Sequence, residues 1–205
     1  WKPSVFLPFH PNGMTFSAFD EDGHEVDSWT VYSVGGGALS EGGETRWLTD
    51  VKDVYKKNTL KEILTWCDNH GRSYWEYVDE CEESSIWDYL MEVWKAMQES
   101  VERGLDHEGA LPGPLNLPRK ASTYFVKAQG YKPSLASRCL VSAYALAVSE
   151  ENASGGTIVT APTCGSCGVM PAVLYHMSRS HEVSDTRILH ALATACLLYT
   201  SPSPR

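Results

Sequence analysis

The 205 residues are 42% apolar and 21% charged, the balance of an ordinary globular protein whose core needs no disulfide or metal staple. A formal net charge of −9 argues against broad contact with a phosphate backbone, so nucleic acid is not an expected partner. No apolar run approaches the roughly 18 residues of a membrane-spanning helix, and six scattered cysteines suit a reduced, cytoplasmic protein better than a disulfide scaffold.

The chain opens at Trp1 with no signal-peptide pattern, so a missing true N-terminus is expected. Two alternating runs, Met14 to Phe19 and Val26 to Ser33, flank Asp22-Gly23, and Asp-Gly supplies the positive φ angles of a tight hairpin. "VGGGALSEGGE" then reads as a Gly-rich loop, and near residue 50 the pattern turns helical. Thr59 and Glu62 fit a capping box ahead of an apolar stripe of Leu60, Ile63, Leu64 and Cys67. Ser85 and Asp88 resemble a second cap, opening an amphipathic helix with Ile86, Leu90, Trp94, Met97 and Val101 on one face. Gly and Pro between Gly109 and Pro114 break the helices and predict an extended connector. Residues 134–149 are rich in Ala and Ser and predict a buried central helix. The acidic run Glu80, Glu82, Glu83 reads as a solvated face, and the Trp- and Tyr-rich stretch beside it as core or dimer surface. His24, His70, His107, His176, His181 and His190 show no partner pattern and are expected at the surface or in packing.

The segment "TIVTAPTCGSCGVMPAVLYHM" is the most informative. Thr157 to Ala161 reads as β, and Gly168 to Ser178 as a helix with Pro171 tolerated in its first turn. Cys164 and Cys167 then stand at a helix N-terminus, where the dipole favours thiolate. Spacing alone leaves three readings open: small packing residues, a redox pair, or half of a metal site that lacks a second ligand pair.

Three blocks in order, "LPFHPNGMTFSAFDEDGHEVDSWTVYSVGGGAL", "VERGLDHEGALPGPLNLPRKA" and "SEENASGGTIVTAPTCGSCGVMPAVL", resemble the iron–sulfur-dependent L-serine dehydratases. The resemblance implies an α+β fold: residues 1–50 as the end of a small β-containing domain, residues 51–198 as the start of a mostly α-helical domain, and residues 199–205 as a non-native tail. It implies elimination of water from L-serine to give pyruvate and ammonia, with a 4Fe-4S cluster acting as Lewis acid on the hydroxyl, in a cytoplasmic homodimer when full length. The family's cluster-ligating cysteine segments lie further downstream and have no counterpart here, so this chain by itself is expected to be inactive. Cys164 and Cys167 stand where other members carry residues such as Asn-Gly-Ala-Ala. That makes them parts of a substrate loop and only minor candidates for metal.

The resemblance also nominates substrate-binding residues. His10 and Asn12 of "FHPNGM" match a family position near the active site. Ser33 with Gly35, Gly36 and Gly37 offers a hydroxyl and bare N–H groups as a carboxylate nest. Asn152, Ser154, Thr160, Thr163 and Cys164 supply donors and acceptors in the Gly-rich stretch after the Ala-rich helix, although Asn152 and Ser154 equally suit plain helix capping. No catalytic residue is nominated. Two alternatives come from other classes: a thiol redox module using Cys164 and Cys167, and a non-catalytic amino-acid-binding protein.

Overall fold

A computed structural model describes residues 7–35, 38–42, 45–46, 54–57, 59–160 and 166–200. The chain divides into two compact units, Trp1–Asp53 and Val54–Arg205. A small sheet in the first and seven described helices in the second give the expected α+β class.

In the first unit, strands β1 (Gly13–Phe19) and β2 (Glu25–Gly35) pair antiparallel from Gly13↔Tyr32 to Phe19↔Glu25. The Thr15 and Thr30 hydroxyls meet at 2.9 Å, and Phe16 stacks on Trp29 with ring centroids 5.8 Å apart. Such cross-strand pairs stabilise a ribbon whose outer strand is largely exposed. The turn is wider than the tight form expected. Only Gly23 takes a positive φ, +84°, while the Asp20 carboxylate accepts from the N–H groups of Asp22 and His24. A short strand β3 (Ala38–Ser40) follows where a loop was expected, because Ser40 and Leu39 pair with Tyr32 and Ser33. Strand β4 (Thr45–Arg46) closes the order β1-β2-β3-β4.

The helical unit begins with α1 (Leu60–His70), whose capping box is present: Glu62 N–H donates to Thr59 Oγ1, and Thr59 N–H donates to Glu62 Oε2. Gly71, at φ +63°, ends it in the left-handed region that glycine enters without a Cβ penalty. The buried face of α1 is Ile63, Trp66 and Cys67; Leu64 is exposed, since Trp66 fills the space toward Tyr77 of α2 (Tyr74–Cys81).

Helix α3 (Ser85–Asp106) buries Leu90, Trp94, Met97 and Val101 as its spacing predicts. Its start differs from the expected cap. Ser85 already lies inside the helix, and Ser84 precedes it at φ −56°, ψ −22° with no side-chain cap. A capping side chain needs an extended backbone; here Ile86 and Trp87 N–H instead donate to the Glu83 and Ser84 carbonyls in tight turns.

Helices α4 (Ala121–Gln129), α5 (Pro133–Ala153), α6 (Val169–His181) and α7 (Asp185–Thr200) complete the unit. Helix α5 is the predicted central helix and packs against α3, α4 and α6. Its small residues set the separation. A Cβ on Gly104 of α3 would lie 2.3 Å from the Ala147 carbonyl oxygen, and one on Gly168 would lie 2.4 Å from that of Ala145. Trp94, fully buried, donates its indole N–H to Asp185 at the start of α7.

Candidate functional site

The most densely charged interior region lies at the C-terminal end of α5. Glu150 and Glu151 occupy its last turn, where the helix dipole disfavours carboxylates, yet they are only 5% and 3% exposed. Partners from distant parts of the unit hold them there. Glu151 Oε1 stands 2.8 Å from His107 Nδ1 and 3.6 Å from Arg119 Nη1, and Oε2 accepts from Arg103 Nε at 3.2 Å. Burial pushes the Glu151 carboxyl pKa up, but the hydrogen bonds from His107 and Arg103, with their charges, outweigh it and hold it below the usual 4.5.

Glu150 does something different. Its Oε1 accepts from the backbone N–H of Lys120 at 2.6 Å and of Ala121 at 3.2 Å, so a side chain of α5 caps the first turn of α4. Glu150 Oε2 is buried with no hydrogen-bond partner, and so is Arg119 Nη1, whose 3.6 Å approach to Glu151 is an ion-pair distance only. Arg119 Nη2 donates to Ser154 Oγ, which in turn donates to the Glu150 carbonyl at 2.8 Å.

Local chain geometry assembles these groups. The connector after α3 is not extended but folds back on itself: Leu111 N–H donates to Leu117 O and Arg119 N–H to Gly109 O, both at 2.8 Å. Positive φ at Gly109, Gly113 and Asn116 permits the reversal. That closure delivers both His107 and Arg119 to the end of α5. The exit from α5 is equally constrained. Gly155 takes φ +76°, Gly156 N–H donates to the Glu151 carbonyl, and a Cβ on Gly156 would stand 2.6 Å from Glu151 Oε2. Thr157 follows, its carbonyl accepting from Arg103 Nη2 at 2.6 Å. No strand forms over 157–160, where β was expected, because no neighbouring strand is present among the described residues; Ile158 and Val159 instead pack on the helical core.

Of the residues nominated from sequence in this unit, Ser154 is inside the network, Asn152 is half-buried beside it, and Thr160 is exposed past the clamp on Thr157. Thr163 and Cys164 lie outside the described residues. Cys167 is 1% exposed, packed in the core ahead of α6. In the first unit, Asn12 N–H donates to His10 Nδ1 at 3.1 Å and the Asn12 carbonyl accepts from Ser33 N–H at 2.9 Å, so these three residues do come together. Gly35 ends β2, and Gly36 and Gly37 lie outside the described residues.

Sequence reasoning missed Arg103, His107, Arg119, Glu150 and Glu151, and His107 does have a partner. The signal was available: two glutamates at the negative end of an Ala-rich helix call for cations from elsewhere.

Among the described residues the cysteines are not gathered into a metal site: Cys67 lies on α1, Cys81 on α2, Cys139 on α5, Cys167 just ahead of α6 and Cys196 on α7, and none of them pairs with another in a disulfide. Among the described residues, only the exposed Asp20, Asp22 and His24 bring three ligating groups together, and there Asp20 serves the hairpin turn. No helix among the described residues is long and apolar enough to cross a membrane.

Two family models match the chain, overlapping within the sheet unit, and both describe chains of a dehydratase. The family model for the serine dehydratase alpha chain matches residues 30–200, and that for the serine dehydratase beta chain matches residues 1–44. The chain belongs to the serine dehydratase family. It is 38% identical over 189 residues to the L-serine dehydratase of Haemophilus influenzae, a match covering 85% of this chain and 41% of that protein. It is 39% identical over 181 residues to the L-serine dehydratase of Streptomyces coelicolor, covering 83% and 40%. For L-serine dehydratase 1 of Escherichia coli the figures are 38% over 180 residues, covering 82% and 39%. The chain thus spans about two fifths of the length of these curated relatives.

Proposed function

We propose that the complete protein containing this chain is an L-serine ammonia-lyase. The Cα proton and the β-hydroxyl leave L-serine as water, and the aminoacrylate formed tautomerises to an imine that water hydrolyses to pyruvate and ammonia. The observation that carries this reading is the extended similarity to proteins named L-serine dehydratase, running through both units. The buried charge network supports it by framing the segment from Asn152 to Thr160.

The chain's own residues divide into two roles. A carboxylate whose pKa is held down by its hydrogen bonds to His107 and Arg103 is a weak base, so Glu151 organises the segment and does not take the Cα proton. Ser154 spends its hydroxyl on Glu150 and Arg119 and orients the turn. Asn152, Thr160, Thr163 and Cys164 are the groups of this unit proposed to meet substrate. In the first unit, Ser33 and Gly35 to Gly37, with His10 and Asn12, are proposed as a separate carboxylate-binding turn. The family resemblance implies a 4Fe-4S cluster, which would supply a Lewis acid for the β-hydroxyl; Cys164 and Cys167 are only minor candidates to hold it. The same resemblance supports a cytoplasmic homodimer.

The test is anaerobic iron–sulfur reconstitution of the complete protein followed by assay of pyruvate from L-serine. Iron-dependent turnover is expected, and its absence would overturn the reading. The 205-residue chain alone is expected to give neither turnover nor a four-iron spectrum.

A further inference from the structure

We infer that Arg103 is a positioning residue for the segment that follows α5: its guanidinium clamps the Thr157 carbonyl to the buried Glu151 carboxylate and thereby sets where Ile158, Val159 and Thr160 stand. The functional consequence rests on the proposed serine chemistry; the clamp itself does not.

Arg103 lies in the last turn of α3, far in sequence from the segment it holds. Its guanidinium donates from Nε to Glu151 Oε2 at 3.2 Å and from Nη2 to Thr157 O at 2.6 Å. Nη1 faces Glu99 one turn earlier on the same helix at 3.6 Å. A planar fork can serve a carboxylate and a carbonyl together because its donors diverge from one rigid plane. A lysine ammonium is a single point and cannot span both in the same geometry.

The chain leaving α5 is threaded between these two groups. Gly156 passes against Glu151 with no room for a side chain, and Thr157 is taken up by Arg103 immediately afterwards. Among the described residues, no backbone hydrogen bond to Ile158, Val159 or Thr160 follows, so the contact at Thr157 is the last polar anchor before those residues. Ile158 and Val159 bury part of their side chains in the core but leave the backbone path to this clamp. Glu151 has two further partners, His107 and Arg119, so loss of Arg103 removes the tie to Thr157 without stripping Glu151 of all contacts.

The experiment compares wild type, Arg103→Lys and Arg103→Gln in the complete protein by hydrogen exchange of the amides from 157 to 160, by steady-state kinetics with L-serine, and by thermal melting. Both variants are expected to exchange at these amides about tenfold faster or more, and kcat/KM is expected to fall on the order of a hundredfold, as for a displaced binding segment. Exchange elsewhere on α3 and α5 is expected to stay at the wild-type rate. Unchanged exchange at 157–160 would overturn the clamp. Full recovery of exchange and kinetics by Arg103→Lys would overturn the role of the fork, and faster exchange with unchanged kcat/KM would overturn the positioning role. Should wild type itself fail to turn over L-serine, the functional reading falls while the exchange data still decide the clamp.

Discussion

Glu151→Gln isolates the charge at the centre of the network while keeping the side chain's shape. The Glu151 side chain is 4% exposed and that of Arg119 is 9%, so this pair is shielded from water; Arg103 and His107, at 36% and 55%, are not. At 3.6 Å and an effective dielectric of about 20, the Glu151–Arg119 attraction is roughly 4–5 kcal/mol before desolvation is counted. Removing one partner of a buried pair costs about 3–5 kcal/mol, because the remaining charge stays buried, and the exposed partners add under about 1 kcal/mol each. Gln retains one acceptor oxygen, which places the loss near about 3 kcal/mol. For a unit of this size that is a fall of about 6–12 °C in melting temperature at pH 7. Circular dichroism of the helical signal during heating reads it directly. The pH dependence has a definite sign. A carboxyl whose folded pKa is lowered stabilises the fold above the unfolded value of about 4.5 and loses that contribution as pH falls through the folded value. The gap between wild type and variant must therefore close in acid. A variant melting within about 2 °C of wild type at pH 7 would refute the reasoning, and so would a gap that survives acidification.

Three further outcomes follow from the packing and the caps. Gly104→Ala drives a methyl into the Ala147 carbonyl and is expected to cost about 1–3 kcal/mol or more in chemical denaturation, with an unchanged midpoint contradicting the close approach of α3 and α5. Thr59→Ala removes one half of the α1 capping box and should cost about 1 kcal/mol in the same assay, with no loss arguing against the cap. His176 is buried between the hydroxyls of Ser137 and Ser180, and burial, with His181 nearby, lowers its pKa. A base whose folded pKa is lowered makes the fold lose stability as pH falls below the unfolded value of about 6.5. His176→Gln should flatten that part of the stability–pH curve, and an unaltered slope would count against the assignment.

Features written in local sequence were legible before the structure. Asp22-Gly23 between alternating runs marked the hairpin, Thr59 and Glu62 marked the start of α1, and the spacing of Leu90, Trp94, Met97 and Val101 marked the face of α3, because each depends on neighbours within a turn or a strand. Features that depend on distant partners were not. Glu150 and Glu151 drew no assignment, since nothing nearby shows that Arg103, His107 and Arg119 return to Glu151 or that the start of α4 returns to Glu150. The Pro- and Gly-rich connector read as extended because its closing hydrogen bonds join Gly109 to Arg119 and Leu111 to Leu117, a pairing that no periodicity signals. Trp66 displaced Leu64 from the core of α1 for a similar reason: the space it fills is made by Tyr77 of another helix. The family resemblance nominated the segment after α5, and the side chains that hold that segment in place are visible only in the fold.

The most direct test of the account is isotopic. The complete protein, given L-serine in deuterium oxide and quenched early, should release pyruvate and ammonia in equal amounts, with one deuterium in the pyruvate methyl group from tautomerisation of aminoacrylate. Pyruvate without deuterium at that carbon, or no pyruvate at all, would contradict elimination as the chemistry of this family member.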